Sequence, residues 1–214
     1  MNSTLIIICI AAYLLGSIPT AVWVGKLFFG IDVREHGSGN AGATNTLRVL
    51  GNKPGFAVLF IDFLKGFLAT SLVVFYDGIN PQTDAYFQLQ MLLGACAVIG
   101  HIYPVFAQFK GGKGIATLVG IITAMDYRLA IICFVTFFII VAITKFISLG
   151  SMISGILSPI YVGFLYHWQQ QSFLYFCVVI AVLVVFTHRA NIKRLMAGNE
   201  NKFSFNKNTN TSKV

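Results

Sequence analysis

Apolar residues run in long uninterrupted stretches along this chain, and polar residues come in short bursts between them. Residues 1–24 carry no charge, residues 67–109 carry only Asp77 and Asp84, and residues 129–144 and 152–187 carry none. A helix needs about 20 mostly apolar residues to cross a bilayer, so each long run is a candidate span. The pattern predicts helical segments over residues 5–25, 54–76, 85–101, 115–125, 128–145, 149–166 and 173–187. The first passes Pro19, which a membrane helix tolerates, and the second opens on Pro54 at a first-turn position. Residues 115–125 are too few to cross untilted and read as a segment that only dips into the membrane. The expected fold is an all-α polytopic membrane protein with about seven transmembrane or partly spanning helices. Residues 1–200 form one membrane-embedded domain, followed by a polar, disordered tail over 201–214.

Composition agrees with the pattern. The chain is 57% hydrophobic and 10% charged, with mean hydropathy +0.78. A soluble domain is about 25% charged, so too few polar residues exist to cover a water-facing surface. The charges that remain are one-sided. Lys26, Arg34, Arg48, Lys53, Lys110, Lys113, Lys145, Arg189, Lys193 and Arg194 gather on one side of the helices, while links 77–84 and 167–172 contain no Lys or Arg. By the positive-inside rule the cationic side is cytoplasmic, with the N-terminus outside and the C-terminus inside. Arg128 is the exception, falling outside in this scheme. No Lys or Arg precedes the first run, which argues against a cleaved signal peptide. Cys9, Cys96, Cys133 and Cys177 stand singly in apolar runs and read as small buried hydrophobes, with no metal site or disulfide framework implied. The net charge of +8 points to anionic lipid headgroups or an anionic substrate rather than to nucleic acid.

Three polar stretches share the cationic side. The first is Gly37-Ser-Gly-Asn-Ala-Gly-Ala-Thr-Asn-Thr-Leu-Arg48. It formally matches the dinucleotide fingerprint G-x-G-x-x-G, but that motif needs a preceding buried strand, and residues 31–36 are charged. Its small residues, among them Gly37, Ser38, Gly39, Asn40, Thr44 and Asn45, offer backbone N–H groups for an anion nest. Arg48 adds a donor fork suited to phosphate. The second stretch spans residues 101–117 and contains Lys110, Gly111, Gly112, Lys113 and Gly114. It is not a Walker A loop, because Ala107 and Gly114 occupy positions that require Gly and Ser or Thr. Its glycines still allow close backbone approach to a ligand, and the helix after it aims its dipole at the loop. The third runs from His188 to Glu200. His188 and Asn191 share a helix face at i,i+3, and an imidazole at an interface can act as acid, base or orienting donor near pH 7. Lys193 and Arg194 read as ordinary cationic anchors. Asp62 and Lys65, i,i+3 within a span, read as a structural pair. Ser148 and Ser151 lie just after Lys145 at the inner face and on their own read as packing residues, with Ser151 a further substrate-side candidate.

Taken together, GSGNAGATNTLR at 37–48, the HxxP…FKGGKG block at 101–114 and HxxNxxRLxxGxE at 188–200 resemble the bacterial glycerol-3-phosphate acyltransferases that use acyl phosphate as donor. The element Asp62-x-x-Lys65-Gly66 fits as well, and the resemblance extends to Glu200. It implies transfer of an acyl group from acyl phosphate to the 1-hydroxyl of sn-glycerol 3-phosphate, giving lysophosphatidic acid and phosphate. This is the first acylation of phospholipid synthesis, performed without metal or cofactor at the cytoplasmic face of the inner membrane. The resemblance assigns glycerol 3-phosphate binding to Gly111, Gly112, Lys113 and Gly114, activity to Ser38, Arg48, His188 and Asn191, and a structural role to Glu200. None of His36, His101, His167 and His188 has an Asp five residues on, so the H-x4-D motif of soluble-type acyltransferases is missing. A monomer is compatible with the pattern. The rival readings are a transporter of a phosphorylated metabolite and a membrane scaffold. A transporter would place its polar residues near mid-membrane with an inverted repeat, and neither is visible here.

Overall fold

The computed structural model describes residues 3–81 and 83–203. Among them the structure is helical throughout: α1 (Ser3–Gly16), α2 (Thr20–Phe29), α3 (Ala43–Leu50), α4 (Asn52–Ser71), α5 (Asp84–Ile102), α6 (Ile115–Met125), α7 (Tyr127–Thr144), α8 (Ile147–Leu165), α9 (Gln171–Thr187) and α10 (Arg189–Met196). Four spans pass on length and apolarity alone, Asn52–Phe75, Asp84–Ala107, Tyr127–Thr144 and Ile147–Leu165. The bent pairs α1–α2 and α9–α10 raise the number to six. With the short α6 this gives the seven membrane-level units that the hydrophobic pattern predicts. The part of the expected tail from 204 onward lies outside the described residues.

Pro19 does more than interrupt the first span. It bends α1 against α2 by 44°, because proline has no N–H and cannot continue the helical ladder. The Ile18 carbonyl lies outside the helical ladder at this break, where it accepts from Thr20 N at 3.0 Å and from Lys65 Nζ at 2.9 Å. Lys65 also pairs with Asp62 at 2.8 Å, and Thr20 donates to the same carboxylate oxygen at 3.0 Å. The buried charge pair therefore pins the broken first span to α4. Removing one member of such a pair leaves an uncompensated charge in an apolar interior.

Helix contacts are built on small residues, since in a membrane close backbone approach replaces hydrophobic squeezing. A Cβ added at Gly66 would lie 2.2 Å from the Thr117 carbonyl oxygen, and one at Gly120 would lie 2.0 Å from that of Phe63, so α4 and α6 touch backbone to backbone. Gly16 and Gly100 bring α1 against α5 in the same way, 2.1 Å from Ala97 O and 2.3 Å from Tyr13 O. Large side chains point outward instead: Phe134, Phe138, Ile143, Val179 and Val182 are exposed, as lipid-facing positions must be.

Helix α6 has 11 residues and α7 has 18, or about 16 Å against about 27 Å. They share one turn at Asp126, so the glycine loop before α6 lies short of the level where α7 ends, by up to about 10 Å. The short segment thus recesses the second motif. At the opposite end, Asp126 is buried and binds Arg128 through both Nε (3.1 Å) and Nη2 (3.0 Å), while Tyr166 donates to it at 2.6 Å. Arg128, the basic residue on the otherwise acidic side, is neutralised by this partner.

Candidate active site

The chain between α2 and α3 is shaped by a clasp that sequence reading missed. Asp32 accepts from Arg34 Nε at 2.9 Å and Nη2 at 2.6 Å, and from Lys26 at 3.2 Å. These contacts, led by Arg34, hold the Asp32 carboxyl far below the usual carboxylate range. The free edge of Arg34 then donates to the carbonyls of Ala107 (3.0 Å) and Lys110 (3.4 Å). The segment leading into the first motif is therefore tied directly to the second. The available signal was the Asp-x-Arg spacing just before the glycine-rich stretch.

Within the first motif, Asn45 is buried and its amide is fully used inside the protein. Its Nδ2 donates to Val33 O (2.8 Å) and His36 O (3.0 Å), and its Oδ1 accepts from Ser38 N (2.8 Å) and Ser38 Oγ (3.1 Å). The expected substrate contact from Asn45 is replaced by a brace that fixes the 36–39 turn. Gly37 and Gly39 sit at φ 63° and 72°, a conformation glycine adopts without strain, and a Cβ at Gly37 would meet Asn45 Oδ1 at 2.4 Å. The turn presents Ser38, Gly39 and Asn40 to a cavity. Thr44 lies outside the cavity lining, on α3.

The second motif differs from expectation in how its glycines act. The N–H groups of Gly111 and Gly112 are already bonded to the carbonyls of Ile102 (3.1 Å) and His101 (3.2 Å). They are not free donors for a ligand. Glycine is required there for space: a Cβ at 111 would lie 2.0 Å from His101 O, and one at 112 would lie 2.4 Å from His101 Nε2. His101 is buried, its Nδ1 3.1 Å from Thr117 Oγ1 and 3.9 Å from Asp62. The loop thus rests on a ring held by the Asp62–Lys65 network. Gly114, at φ 81°, starts α6.

Lys113 emerges from this loop toward the third motif and donates to Asn191 Oδ1. Asn191 Nδ2 donates to Glu200 Oε1 at 2.7 Å, Ser148 Oγ donates to the same oxygen at 2.9 Å, and Arg194 Nε donates to Oε2 at 2.8 Å. Burial alone would push the Glu200 carboxyl up, but these donors outweigh it and hold it below its ordinary value. Lys113 moves the other way. Burial first, then repulsion from Arg194, lowers it to about 8. Arg48 is half-buried beside Glu200 and Arg194, its charge disfavoured mainly by burial. Among the described residues its guanidinium donates no hydrogen bond. A guanidinium left in that state is suited to an anion.

His188 sits in the 59° elbow between α9 and α10 and is 2% exposed. Its Nδ1 lies 2.8 Å from the Val184 carbonyl oxygen, an acceptor only, so Nδ1 carries the hydrogen and Nε2 keeps its lone pair. Ser151 takes no part in the cavity: its hydroxyl donates to Ile147 O within α8 at 3.0 Å. Its neighbour Ser148 is the serine that reaches the site, through Glu200. Arg194, expected to be a mere anchor, lines the cavity, whereas Lys193 is exposed.

All three motifs therefore converge on one cavity of about 340 Å³, walled by residues 38–40, by 102–103 with 109–113, and by 186, 187, 189–191 and 194, while His188 and Arg48 lie outside its lining. Residues 6–198 match the model of the glycerol-3-phosphate acyltransferase family. The chain belongs to that family. Glycerol-3-phosphate acyltransferase of Enterococcus faecalis is 42% identical, covering 94% of this chain and 93% of its own. That of Chlorobaculum tepidum is 39% identical, over 94% and 97%. The crystal structure of PlsY (YgiH), an integral membrane glycerol 3-phosphate acyltransferase, in its glycerol 3-phosphate form superposes with TM-score 0.84 at 37% identity, covering 94% of this chain and 96% of that one. Its lysophosphatidic acid form gives TM-score 0.81 at 36% identity, over 95% and 97%. As a member of this family the chain is an integral membrane protein.

Proposed function

We propose that this protein transfers an acyl group from acyl phosphate to the 1-hydroxyl of sn-glycerol 3-phosphate, releasing lysophosphatidic acid and inorganic phosphate. It works at the cytoplasmic face of the bacterial inner membrane, with its N-terminus outside. The observation that carries this reading is the composition of the single cavity the motifs share. One part is cationic and recessed, with Lys113, Asn191 and Arg194, and the other is bordered by exposed aromatic side chains, Tyr103, Phe109 and Phe186. A small phosphorylated alcohol fits the first, and a donor that is anionic at one end and apolar at the other fits the second.

The reaction needs no protein nucleophile, because acyl phosphate is already activated. The substrate hydroxyl oxygen attacks the acyl carbon, the bond from that carbon to the phosphate oxygen breaks, and phosphate leaves with the electron pair. The hydroxyl proton passes to a phosphate oxygen. Positioning and charge stabilisation then supply the catalysis. Lys113 and Arg48 offset phosphate charge, and Ser38 and Asn191 orient the reacting groups. His188 has a carbonyl, not a carboxylate, on Nδ1, so an imidazolium would gain little support there. We assign its Nε2, which keeps a lone pair, the role of orienting the hydroxyl rather than holding its proton.

The test is turnover by detergent-purified protein given acyl phosphate and glycerol 3-phosphate. Lysophosphatidic acid should form in an amount equal to the phosphate released above the rate of spontaneous acyl phosphate hydrolysis, and none should form when the acceptor is omitted. Failure to make both products would exclude the reaction, and movement of glycerol 3-phosphate across proteoliposomes without chemistry would favour transport.

A further inference from the structure

The cavity carries two sets of cations, and they differ in burial and in company. Lys113 and Arg194 are held in place by Asn191 and Glu200, with Arg48 beside them. Lys110 and Arg189 are exposed and also line the cavity. Each lies beside an aromatic residue of the cavity wall. Lys110 comes directly after Phe109, which is 57% exposed, and the Arg189 guanidinium stacks 4.8 Å from the ring centre of Phe186, which is 56% exposed. Arg189 spends only one donor, Nη1, on the Phe186 carbonyl at 3.2 Å, and no carboxylate pairs with either residue among the described residues. Sequence reading treated Arg189 only as part of the cationic side.

We infer that Lys110 and Arg189 form the phosphate-binding pair for the acyl-phosphate donor, separate from the recessed group that holds glycerol 3-phosphate. Two phosphates meet in this reaction, and one cluster of cations holding both would bring two anions together without relief. Apolar rings beside free cations suit an amphiphile: the chain lies along Tyr103, Phe109 and Phe186, and its phosphate head meets Lys110 and Arg189. Stacking on Phe186 also orders the guanidinium before the ligand arrives, which reduces the entropy lost on binding. The recessed set is braced by Asn191 and Glu200 for a small polar ligand.

This assignment rests on acyl phosphate being the donor, so two readouts are needed. The first is steady-state kinetics of Lys110→Gln, Arg189→Gln and the double variant, with each substrate varied in turn. An exposed cation–phosphate contact is worth little individually, so each single change should raise KM for acyl phosphate about three- to tenfold. KM for glycerol 3-phosphate should move by less than half as much, and Lys110→Arg and Arg189→Lys should recover most of the loss. An equal or larger rise in KM for glycerol 3-phosphate, or no change for either substrate, would overturn the assignment. The second readout needs no turnover: binding of a long-chain alkyl phosphate, monitored by thermal stabilisation in detergent. It should stabilise the wild type and do so less in the double variant. Equal stabilisation of both would overturn the assignment whatever the donor. If wild type binds alkyl phosphate through this pair yet makes no product from acyl phosphate, the donor reading fails and the anionic-amphiphile site stands. A final arm uses phosphatidylglycerol, a phosphodiester. If it protects as well as the alkyl phosphate monoester and loses as much in the double variant, the pair is a general lipid anchor and the proposal is wrong.

Discussion

At the scale of single residues, the glycines of the second motif separate space from donors. Gly111 and Gly112 have their N–H groups bonded to backbone and their Cα atoms pressed on His101, while a Cβ at Gly114 would find nothing nearer than 3.6 Å. Alanine at 111 or 112 must displace buried backbone or a ring tied to Thr117, and overpacking of this kind costs about 1–3 kcal/mol or more. Alanine at 114 meets only the left-handed backbone penalty, about 1–2 kcal/mol. Thermal unfolding in detergent together with KM for glycerol 3-phosphate should therefore rank Gly111→Ala and Gly112→Ala as the more damaging, with Gly114→Asn mildest of all. Equal damage at all three would mean that backbone N–H groups, not space, set the requirement. Lys113 offers a pH test with a definite sign. Its ammonium is lowered to about 8, so its charge is present below that pH and lost as pH rises through it. Affinity for a phosphate dianion should fall with it, raising KM for glycerol 3-phosphate about fivefold between pH 8 and pH 9. Lys113→Arg keeps its charge and should flatten this rise. A wild-type KM that is level to pH 9.5 would show that bound phosphate does not rely on that ammonium.

At the scale of elements, α10 is positioned by the residues on its C-terminal side. Glu200 joins Asn191 and Arg194 of α10 to Ser148 of α8, Phe203 N donates to Lys145 O at 2.7 Å, and Lys202 lies over the Phe146 ring. The return strap from 197 to 203 thus fastens the third motif onto the α7–α8 turn. Hydrogen bonds to a charged group contribute about 1.5–3 kcal/mol each, and Glu200→Gln replaces one accepting oxygen by a donor facing other donors. It should lower the unfolding midpoint markedly and reduce kcat, whereas Glu200→Asp should retain part of both. An unchanged midpoint in Glu200→Gln would remove the strap as a structural device. The elbow at His188 gives a second test, read as kcat across pH 6–9. With a carbonyl on Nδ1 and no proton to store, His188→Gln should keep measurable turnover and His188→Ala should lose far more. A required general base contributes about 10²–10⁴ in rate, so its loss would be near-complete and equal in both variants.

At the scale of the whole molecule, the residue pattern exposed the spans and the motifs, and it failed where geometry depends on partners. The runs at 54–76, 128–145 and 149–166 coincide closely with α4, α7 and α8 because a lipid-facing helix needs only length and apolarity. The 44° break at Pro19 and the helix at 43–50 were not legible, since one depends on Lys65 reaching the Ile18 carbonyl and the other lies within a stretch of glycine and polar residues. The same holds in the site: Ser38, Lys113, Asn191 and His188 announce themselves by type and spacing, but Arg34, His101 and Ser148 act through contacts 16 to 76 residues away in sequence. The membrane orientation rests on charge alone and has its own test. Cysteines placed singly at exposed Lys53, Lys110 and Asn199, in a background without Cys9, Cys96, Cys133 and Cys177, sit on the motif side. One at exposed Asp77 sits on the other. Positive residues favour retention on the cytoplasmic side, so in intact cells an impermeant thiol reagent should label only the Asp77 position. All four should react once the membrane is permeabilised. Labelling of the three motif-side positions in intact cells would invert the protein and place its substrates on the wrong side, because phosphorylated metabolites are held in the cytoplasm by their charge.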